Sequence, residues 1–437
     1  MTYTPEQLKT ALCNGQLSEQ LSRVYGSDST ALQAAAERYA GAIEDFVATF
    51  PQHQNSPLML FSAPGRTEIG GNHTDHQHGR VLAAGVNLDV IAVVAKNQEG
   101  ILRVKSRGFN KTDIVNLSDL SPKAAEQNRS ASICRGIAAR FQALGFRIGG
   151  FDAYTTSNVL KGSGLSSSAA FEVLLGTIFS QGFNEGKADA VLVAQIGQYA
   201  ENHYFGKPCG LMDQTASSVG SFVSIDFENP EKPVVEKITF DFADYGYAMC
   251  IVDSQADHSD LTDDYASIPA EMKQVAAYFG KQVLRQVAEE EFYSQIKGLR
   301  GSGMSDRAIL RAIHFLAENK RVAQQVKALK EGDFQTFLKL IQASGESSFL
   351  YNQNVFSPRY PAQQAVSLAL ALSEKLLKEK GGAWRVHGGG FAGTIQAFVP
   401  IDWLTYYKNE MEAVFGTDSC HIISVRPVGG TCLLMDR

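Results

Sequence analysis

The chain has no pair of cysteines close enough in sequence to suggest a zinc ribbon or a redox motif. Its six cysteines (Cys13, Cys134, Cys209, Cys250, Cys420 and Cys432) are scattered through 437 residues with no Cys-x-x-Cys spacing. They read as small buried hydrophobes of a reducing cytoplasm, not as a disulfide frame. A long apolar run is also missing. The first thirty residues mix charged and polar groups with scattered leucines, so neither a signal peptide nor a membrane span is expected. Nor is there an excess of positive charge. Forty Lys and Arg stand against 46 Asp and Glu, a formal net charge of −6, which leaves no basic footprint for nucleic acid. No internal repeat and no low-complexity segment is found.

What is present is ordinary for a soluble globular protein: 44% hydrophobic and 20% charged residues. At 437 residues the chain is longer than one hydrophobic core usually supports, so two domains are expected. Residues 5–50 read as helices, with Leu32, Ala35, Tyr39, Ile43 and Phe46 recurring at steps of three and four. Aliphatic and β-branched runs at 58–61, 80–95, 102–106 and 113–117 read as strands, with Gln98-Glu99-Gly100 as a hairpin turn. Helices are expected at 130–144, 166–179 and 188–204, and a strand at 221–227. Beyond Asn229-Pro230 and Pro233 the pattern predicts a strand at 247–253, almost continuous helix over 265–329 and another helix at 361–377. A Gly cluster follows within 383–399, and 422–434 reads as a final strand pair. Strands and helices are interspersed without a βαβ rhythm, which predicts an α+β fold and not a doubly wound parallel sheet. The boundary is expected near 228–246, dividing the chain into 1–228 and 229–437.

Three motifs and one intervening segment carry the chemistry. Pro64-Gly65-Arg66 leads into Gly70-Gly71-Asn72-His73-Thr74-Asp75-His76. The apparent strand end at Pro-Gly would present these side chains on a loop. Arg suits bidentate contact with phosphate, and Asp and Asn suit sugar hydroxyls. A plain surface turn, or a metal held by His73, His76 and His78, fits the same residues. The second motif runs from Leu160 through Gly162-Ser163-Gly164-Leu165-Ser166-Ser167-Ser168 into an apolar helix. Glycines allow close backbone approach, and a helix start offers free N–H groups to anions. No Gly-Lys-Ser/Thr follows, so this is not a Walker A loop. A serine N-cap is the plainer reading, but three consecutive serines exceed what one cap needs. The third motif, Arg385-Val386-His387-Gly388-Gly389-Gly390-Phe391-Ala392-Gly393, reads equally as hinge or ligand loop. Between the last two, Glu201 and Asp213 stand twelve residues apart, Asp213 within Cys209-Gly210-Leu211-Met212-Asp213-Gln214. The two carboxylates have a spacing that could bring them to one cleft, although an isolated Asp at a helix start is more often a cap.

Together these stretches resemble the galactokinase family of the GHMP kinase superfamily, over nearly the whole chain. His258-Ser259 with Tyr265, and the segment from Glu318 to Phe334, add weaker echoes. The resemblance implies a two-domain fold with the active site in the cleft, and transfer of the γ-phosphoryl group of ATP to the C1 hydroxyl of galactose. It implies that Asp213 faces that hydroxyl as the catalytic carboxylate and that Arg66 steadies both Asp213 and the phosphoryl group. Gly162, Ser163, Gly164, Leu165, Ser166, Ser167 and Ser168 would cradle ATP, with Mg2+ on Ser168 and Glu201. His73, Asp75, Gly210, Tyr265 and the side chain at position 72 would contact the sugar. Expected partners are the sugar and ATP alone, with no nucleic acid or membrane, in a cytoplasmic monomer. A kinase for another sugar (an N-acetylhexosamine, arabinose or a uronic acid) is the alternative, then a non-catalytic sugar sensor. The sensor is disfavoured because Ser166–Ser168, Glu201 and Asp213 are all retained. The family usually has Glu where this chain has Asn72, and Asn-Leu at Glu68-Ile69. His387 and Ala392 depart from its third motif, Ala392 being tolerable there with a negative φ.

Overall fold

A computed structural model describes residues 3–160, 164–207, 209–256 and 261–435. Two sheets organise them. The larger contains β1 (Met59–Gly70), β2 (Arg80–Lys96), β3 (Ile101–Ser106), β4 (Asp113–Asn116), β5 (Phe151–Ser157), β6 (Phe222–Asp226) and β7 (Val234–Ile238). The smaller contains β8 (Tyr247–Asp253), β9 (Ala383–Val386), β10 (Thr394–Pro400) and β11 (Cys420–Ile423), in the order β11-β8-β10-β9. The last strand, β12 (Thr431–Leu434), returns to the larger sheet and pairs with β1, giving the order β12-β1-β2-β5-β3-β4. The long β2 changes partner along its length, pairing with β6 at Arg80–Ala84 and with β5 from Val90. Among these pairs only β3 and β5 run parallel. The fold is α+β, as the sequence predicts.

Alternation along the central strands explains the layers. Met59, Phe61, Ala63, Ala92 and Val94 face one core, while Leu58, Leu60, Ile91, Val93 and Ala95 face another. The second core is closed by α1 (Pro5–Cys13), α2 (Ser18–Tyr25) and α3 (Ser29–Thr49). The first is covered by α4 (Ser130–Ala143), α5 (Ser167–Thr177) and α6 (Ala190–Ala200), with α7 (Met212–Val219) packed beside them on β1 and β2. The helices α8 (Thr262–Tyr278), α9 (Glu289–Ser294), α10 (Ile296–Gly301) and α11 (Asp306–Glu331) form a cluster of their own, with α11 running against β1 and β2 of the larger sheet, while α12 (Phe334–Ser347), α13 (Ala365–Leu377) and α14 (Leu404–Phe415) pack on the smaller sheet. No helix among the described residues is long and apolar enough to cross a membrane.

Three expectations need correction. The strand expected at 58–61 continues through Pro64-Gly65-Arg66 to Gly70, so Arg66 lies on β1 and not on a loop. Proline is accommodated because the register shifts between Pro64 and Arg66, where a ladder N–H is not required. The helix over 265–329 is four helices, interrupted where Gly280 and Gly303 adopt φ of +67° and +87°. The final strand pair is not a pair, since β11 joins β8 and β12 joins β1. Strands β5 and β7 and helices α12 and α14 were not expected at all.

Two polar knots hold this arrangement. The first is Asp89 on β2, fully buried, which accepts hydrogen bonds from Tyr25 Oη at 2.7 Å and Arg426 Nη1 at 3.1 Å, and from Arg38 and Ser62. It fastens the N-terminal helices and the return segment to the larger sheet. The second joins the sheets. Arg385 on β9, fully buried, donates to Glu68 Oε1 at 2.7 Å and to the Ile69 carbonyl, while Gln396 on β10 donates to Thr67 Oγ1 at 2.8 Å.

Burial alone would raise the Asp89 carboxyl, but Arg38 and Arg426 hold it below its ordinary value. Asp89→Asn therefore leaves two guanidinium groups uncompensated and costs about 3–5 kcal/mol of stability at neutral pH. Because the folded pKa is depressed, the wild-type advantage is complete above about pH 4 and disappears as pH falls through the folded pKa. Denaturant midpoints of both proteins across pH test this; equal midpoints at pH 7 would dismiss the knot.

Candidate active site

Arg66 is placed by β1 and Asp213 by the first turn of α7, where the helix dipole favours a carboxylate. Their contact is bidentate: Arg66 Nε donates to Asp213 Oδ1 at 2.6 Å and Nη2 to Oδ2 at 2.7 Å. Arg66 Nη1 donates to the Gly164 carbonyl, and the Arg66 backbone N–H donates to Leu165 O at 2.9 Å. These bonds tie β1 to the segment entering α5. Burial would raise the Asp213 carboxyl, yet Arg66, with help from the Ser166 hydroxyl and Lys207, holds it below the usual carboxylate value.

Two cavities meet at this pair. One, of about 290 Å³, is lined by Arg66, Gly164, Ser166, Ser167, Ser168, Glu201, Lys207 and Asp213, with Leu160 and Cys209. Its floor is the start of α5, whose first N–H groups and serine hydroxyls have no intrahelical acceptor. Ser166 precedes that helix in the left-handed region, at φ +54°. Glu201 stands where α6 passes into the π-helical turn Glu201–Phe205. Gln214 Nε2 donates to both Glu201 Oε2, at 3.0 Å, and Glu172 Oε2, at 2.9 Å. Burial and the adjoining Glu201 push Glu172 well above the ordinary value. Leu165 lies in the core and meets the site only through its backbone. Gly162, Ser163, His258 and Ser259 lie outside the described residues.

The other cavity, of about 360 Å³, is lined by Arg66, Glu68, Asn72, His73, Asp75, Gly210, Tyr265 and Asp213, with Gly388 and Gly389. A Cβ on Gly210 would come within 2.7 Å of Asp75 Oδ2, so a larger residue there would displace that carboxylate. A Cβ on Gly389 would come within 2.6 Å of the Tyr265 ring, whose hydroxyl donates to Gly390 O at 3.0 Å. His73 Nε2 is 3.0 Å from Gly389 O, so that nitrogen carries the proton. Burial drives the His73 pKa down to about 4, leaving a neutral ring at pH 7 with Nδ1 as acceptor. The third motif thus lines the cavity as well as joining the sheets.

Residues 44–96 match the family model described as the galactokinase galactose-binding signature, and 132–221 match the GHMP kinases N terminal domain. A galactokinase of Haemophilus influenzae is 32% identical over 359 residues, covering 80% of this chain and 88% of its own. The chain belongs to the galactokinase family. A galactokinase of Actinobacillus pleuropneumoniae matches at 32% over 357 residues, again 80% of this chain and 88% of its own. Lactococcus lactis galactokinase, solved with galactose, superimposes with a TM-score of 0.76 at 22% identity, covering 90% of this chain and 99% of its own. Methanococcus jannaschii mevalonate kinase superimposes at 0.58 with 15% identity, over 84% and 98% of the two chains. The fold is that of the GHMP kinases.

The departures from the galactokinase pattern have structural reasons. His387 is buried, with Nδ1 2.9 Å from Thr394 Oγ1 and Nε2 2.9 Å from Thr67 Oγ1, so it bridges the sheets. Ala392 avoids positive φ; Phe391 takes it instead, at +60°. Asn72 is fully buried and its amide is consumed within the protein. Its Nδ2 donates to Glu68 Oε1 at 2.9 Å and Gly388 O at 2.7 Å, and its Oδ1 accepts from Asn354 Nδ2 at 2.8 Å. Glu68 supplies the carboxylate at this end of the cavity. Sequence reasoning missed Asn354, Gln214 and Lys207 as site neighbours. Lys207 had one signal, as the only charge in Gly206-Lys207-Pro208-Cys209-Gly210, and Gln214 had its place beside Asp213; Asn354 had none.

Asn72→Glu would set a second carboxylate against Glu68 and leave the Gly388 carbonyl without its donor. The variant is expected to lose about 1–3 kcal/mol at pH 7. One carboxyl of such a pair has a raised folded pKa, so the loss shrinks as pH falls toward about 4.5 and the pair takes up a proton. Thermal unfolding at pH 7 and pH 5 reads both effects. A variant as stable as wild type at pH 7 would remove Glu68 from contact with position 72.

Proposed function

We propose that this chain transfers the γ-phosphoryl group of ATP to the C1 hydroxyl of galactose. The observation that carries the reading is the Arg66–Asp213 pair at the junction of the two cavities. One cavity has serine hydroxyls and a helix N-terminus suited to phosphates; the other has Asp75, His73, Glu68 and Tyr265 suited to a polyhydroxyl ligand. ATP occupies the first and galactose the second, with C1–OH toward Asp213. The membership in the galactokinase family supports this sugar over an N-acetylhexosamine, arabinose or a uronic acid.

The donors present fit a magnesium ion. The Ser168 hydroxyl and the Glu201 carboxylate line the nucleotide cavity, and a hard cation takes such oxygens together with phosphate oxygens. When bound, magnesium neutralises charge on the β- and γ-phosphates. The C1 oxygen forms its bond to the γ-phosphorus as the bond to the bridging β-oxygen breaks and ADP leaves; the hydroxyl proton passes to Asp213. A carboxylate held below its usual pKa is a weak base. That supports a role in orienting the hydroxyl, with the proton taken only as the new bond forms in a loose transition state. On the same reading the chain acts as a cytoplasmic monomer of two units, 1–228 and 229–437, the second lending β7 and β12 to the sheet of the first.

A sugar panel with ATP and magnesium, scored by ADP release, tests the assignment. Galactose is expected to stimulate release far more than glucose, arabinose or N-acetylgalactosamine; a clear preference for another sugar would overturn it. Asp213→Asn is expected to lower kcat by roughly 10²–10⁴-fold while nucleotide binding persists. Near-normal turnover in that folded variant would dismiss Asp213.

A further inference from the structure

The two cavities share four lining residues: Arg66, Lys207, Cys209 and Asp213. A group moving from nucleotide to acceptor passes over them. Arg66 is already committed there. Its Nε and Nη2 are both on Asp213, its Nη1 is on the Gly164 carbonyl, and its charge is balanced by the carboxylate it holds. A loose phosphoryl-transfer transition state spreads negative charge over three equatorial oxygens and is stabilised chiefly by cations placed beforehand. Lys207 is the other cation at the junction. Its backbone N–H donates to Glu201 O at 3.2 Å, closing the turn after Gly206 at φ +90° and fixing where the side chain starts. Its ammonium has no hydrogen-bond or ion-pair partner among the described residues. Its charge is nonetheless felt by Asp213 and Glu172.

We propose that Lys207 is a catalytic residue, its ammonium binding an oxygen of the γ-phosphoryl group where the cavities join. This rests on the phosphoryl-transfer reading above and deepens it. The division of labour follows from side-chain chemistry. The planar Arg fork is suited to fixing Asp213 bidentately, whereas a lysine is a point charge on a flexible stem that can follow the phosphoryl group between donor and acceptor.

Lys207→Met keeps an unbranched apolar stem and removes the charge; Lys207→Arg keeps the charge. With magnesium present, calorimetric titration compares ADP with the β,γ-methylene analogue of ATP. Lys207→Met is expected to weaken the analogue by about tenfold or more, the range for a charge-assisted hydrogen bond, and ADP by less than about twofold. Turnover with galactose falls at least about tenfold at an unchanged galactose KM, and Lys207→Arg recovers most of both losses. Equal weakening of ADP and the analogue, a rise in galactose KM alone, or no change in either nucleotide overturns the proposal. Absence of galactose-dependent ADP release in the wild type would sink the sugar assignment instead, and the two nucleotides would still decide Lys207.

Discussion

The buried pair between Glu68 and Arg385 determines where the two sheets meet, and the site depends on it. Removing two charges from water costs several kcal/mol per ion, and here the cost is offset by a dense set of hydrogen bonds. Glu68 accepts from Arg385 and Asn72, Arg385 reaches the Ile69 carbonyl, and Gln396 and His387 hold Thr67. Every one of these bonds involves β1 or the turn after it, and all but the Asn72–Glu68 bond reach partners on β9, β10 or the glycine loop between them. Hence Arg66 stands where the two cavities join, while Glu68, Asn72 and His73 line the second.

A second anchoring works from the opposite side of the same turn. The Glu318 carboxylate on α11, fully buried, accepts from the Gly71 N–H at 3.0 Å and from Ser344 Oγ at 2.6 Å, with Arg321 alongside. His314 on the same helix has Nε2 2.9 Å from Asn72 O. The segment from Gly70 to Asp75 therefore has few unsatisfied backbone groups and little freedom to reshape. Positioning of this kind is what phosphoryl transfer asks of a protein, since little covalent chemistry is left for it to perform.

How much of this was legible in the sequence varied with the range of the interactions involved. The glycine–serine segment was readable as a candidate because its signal is local: glycines, three serines and an apolar helix stand within a dozen residues. The length of β1 was not, because Pro64-Gly65 is normally a turn and only a register shift against β2 lets the strand continue. The break-up of the helix over 265–329 depended on two glycines whose positive φ has no counterpart in side-chain periodicity. The third motif stayed undecided between hinge and ligand loop because it joins the two sheets and also lines a cavity, which only the positions of Tyr265 and His73 reveal. The meaning of Asn72 was the least readable. Its partners Glu68, Gly388 and Asn354 come from three separate stretches of the chain, and no spacing rule connects them.

The return of β12 to the larger sheet has a consequence for how the molecule comes to exist. The edge of β1 is paired by Leu434, Cys432 and Thr431, and the Asp89 knot includes Arg426. The first sheet to be synthesised is thus among the last to be completed, because its closing strand follows the whole second sheet. Contacts of such sequence separation carry a large loop-closure entropy and form slowly. A ribosome-bound chain lacking its last strands would show an open strand edge beside an apolar core, a surface prone to association with other chains. Completion of the larger sheet of this kinase therefore waits on its last strand, and the interval before residue 434 emerges leaves that edge most open to misassociation.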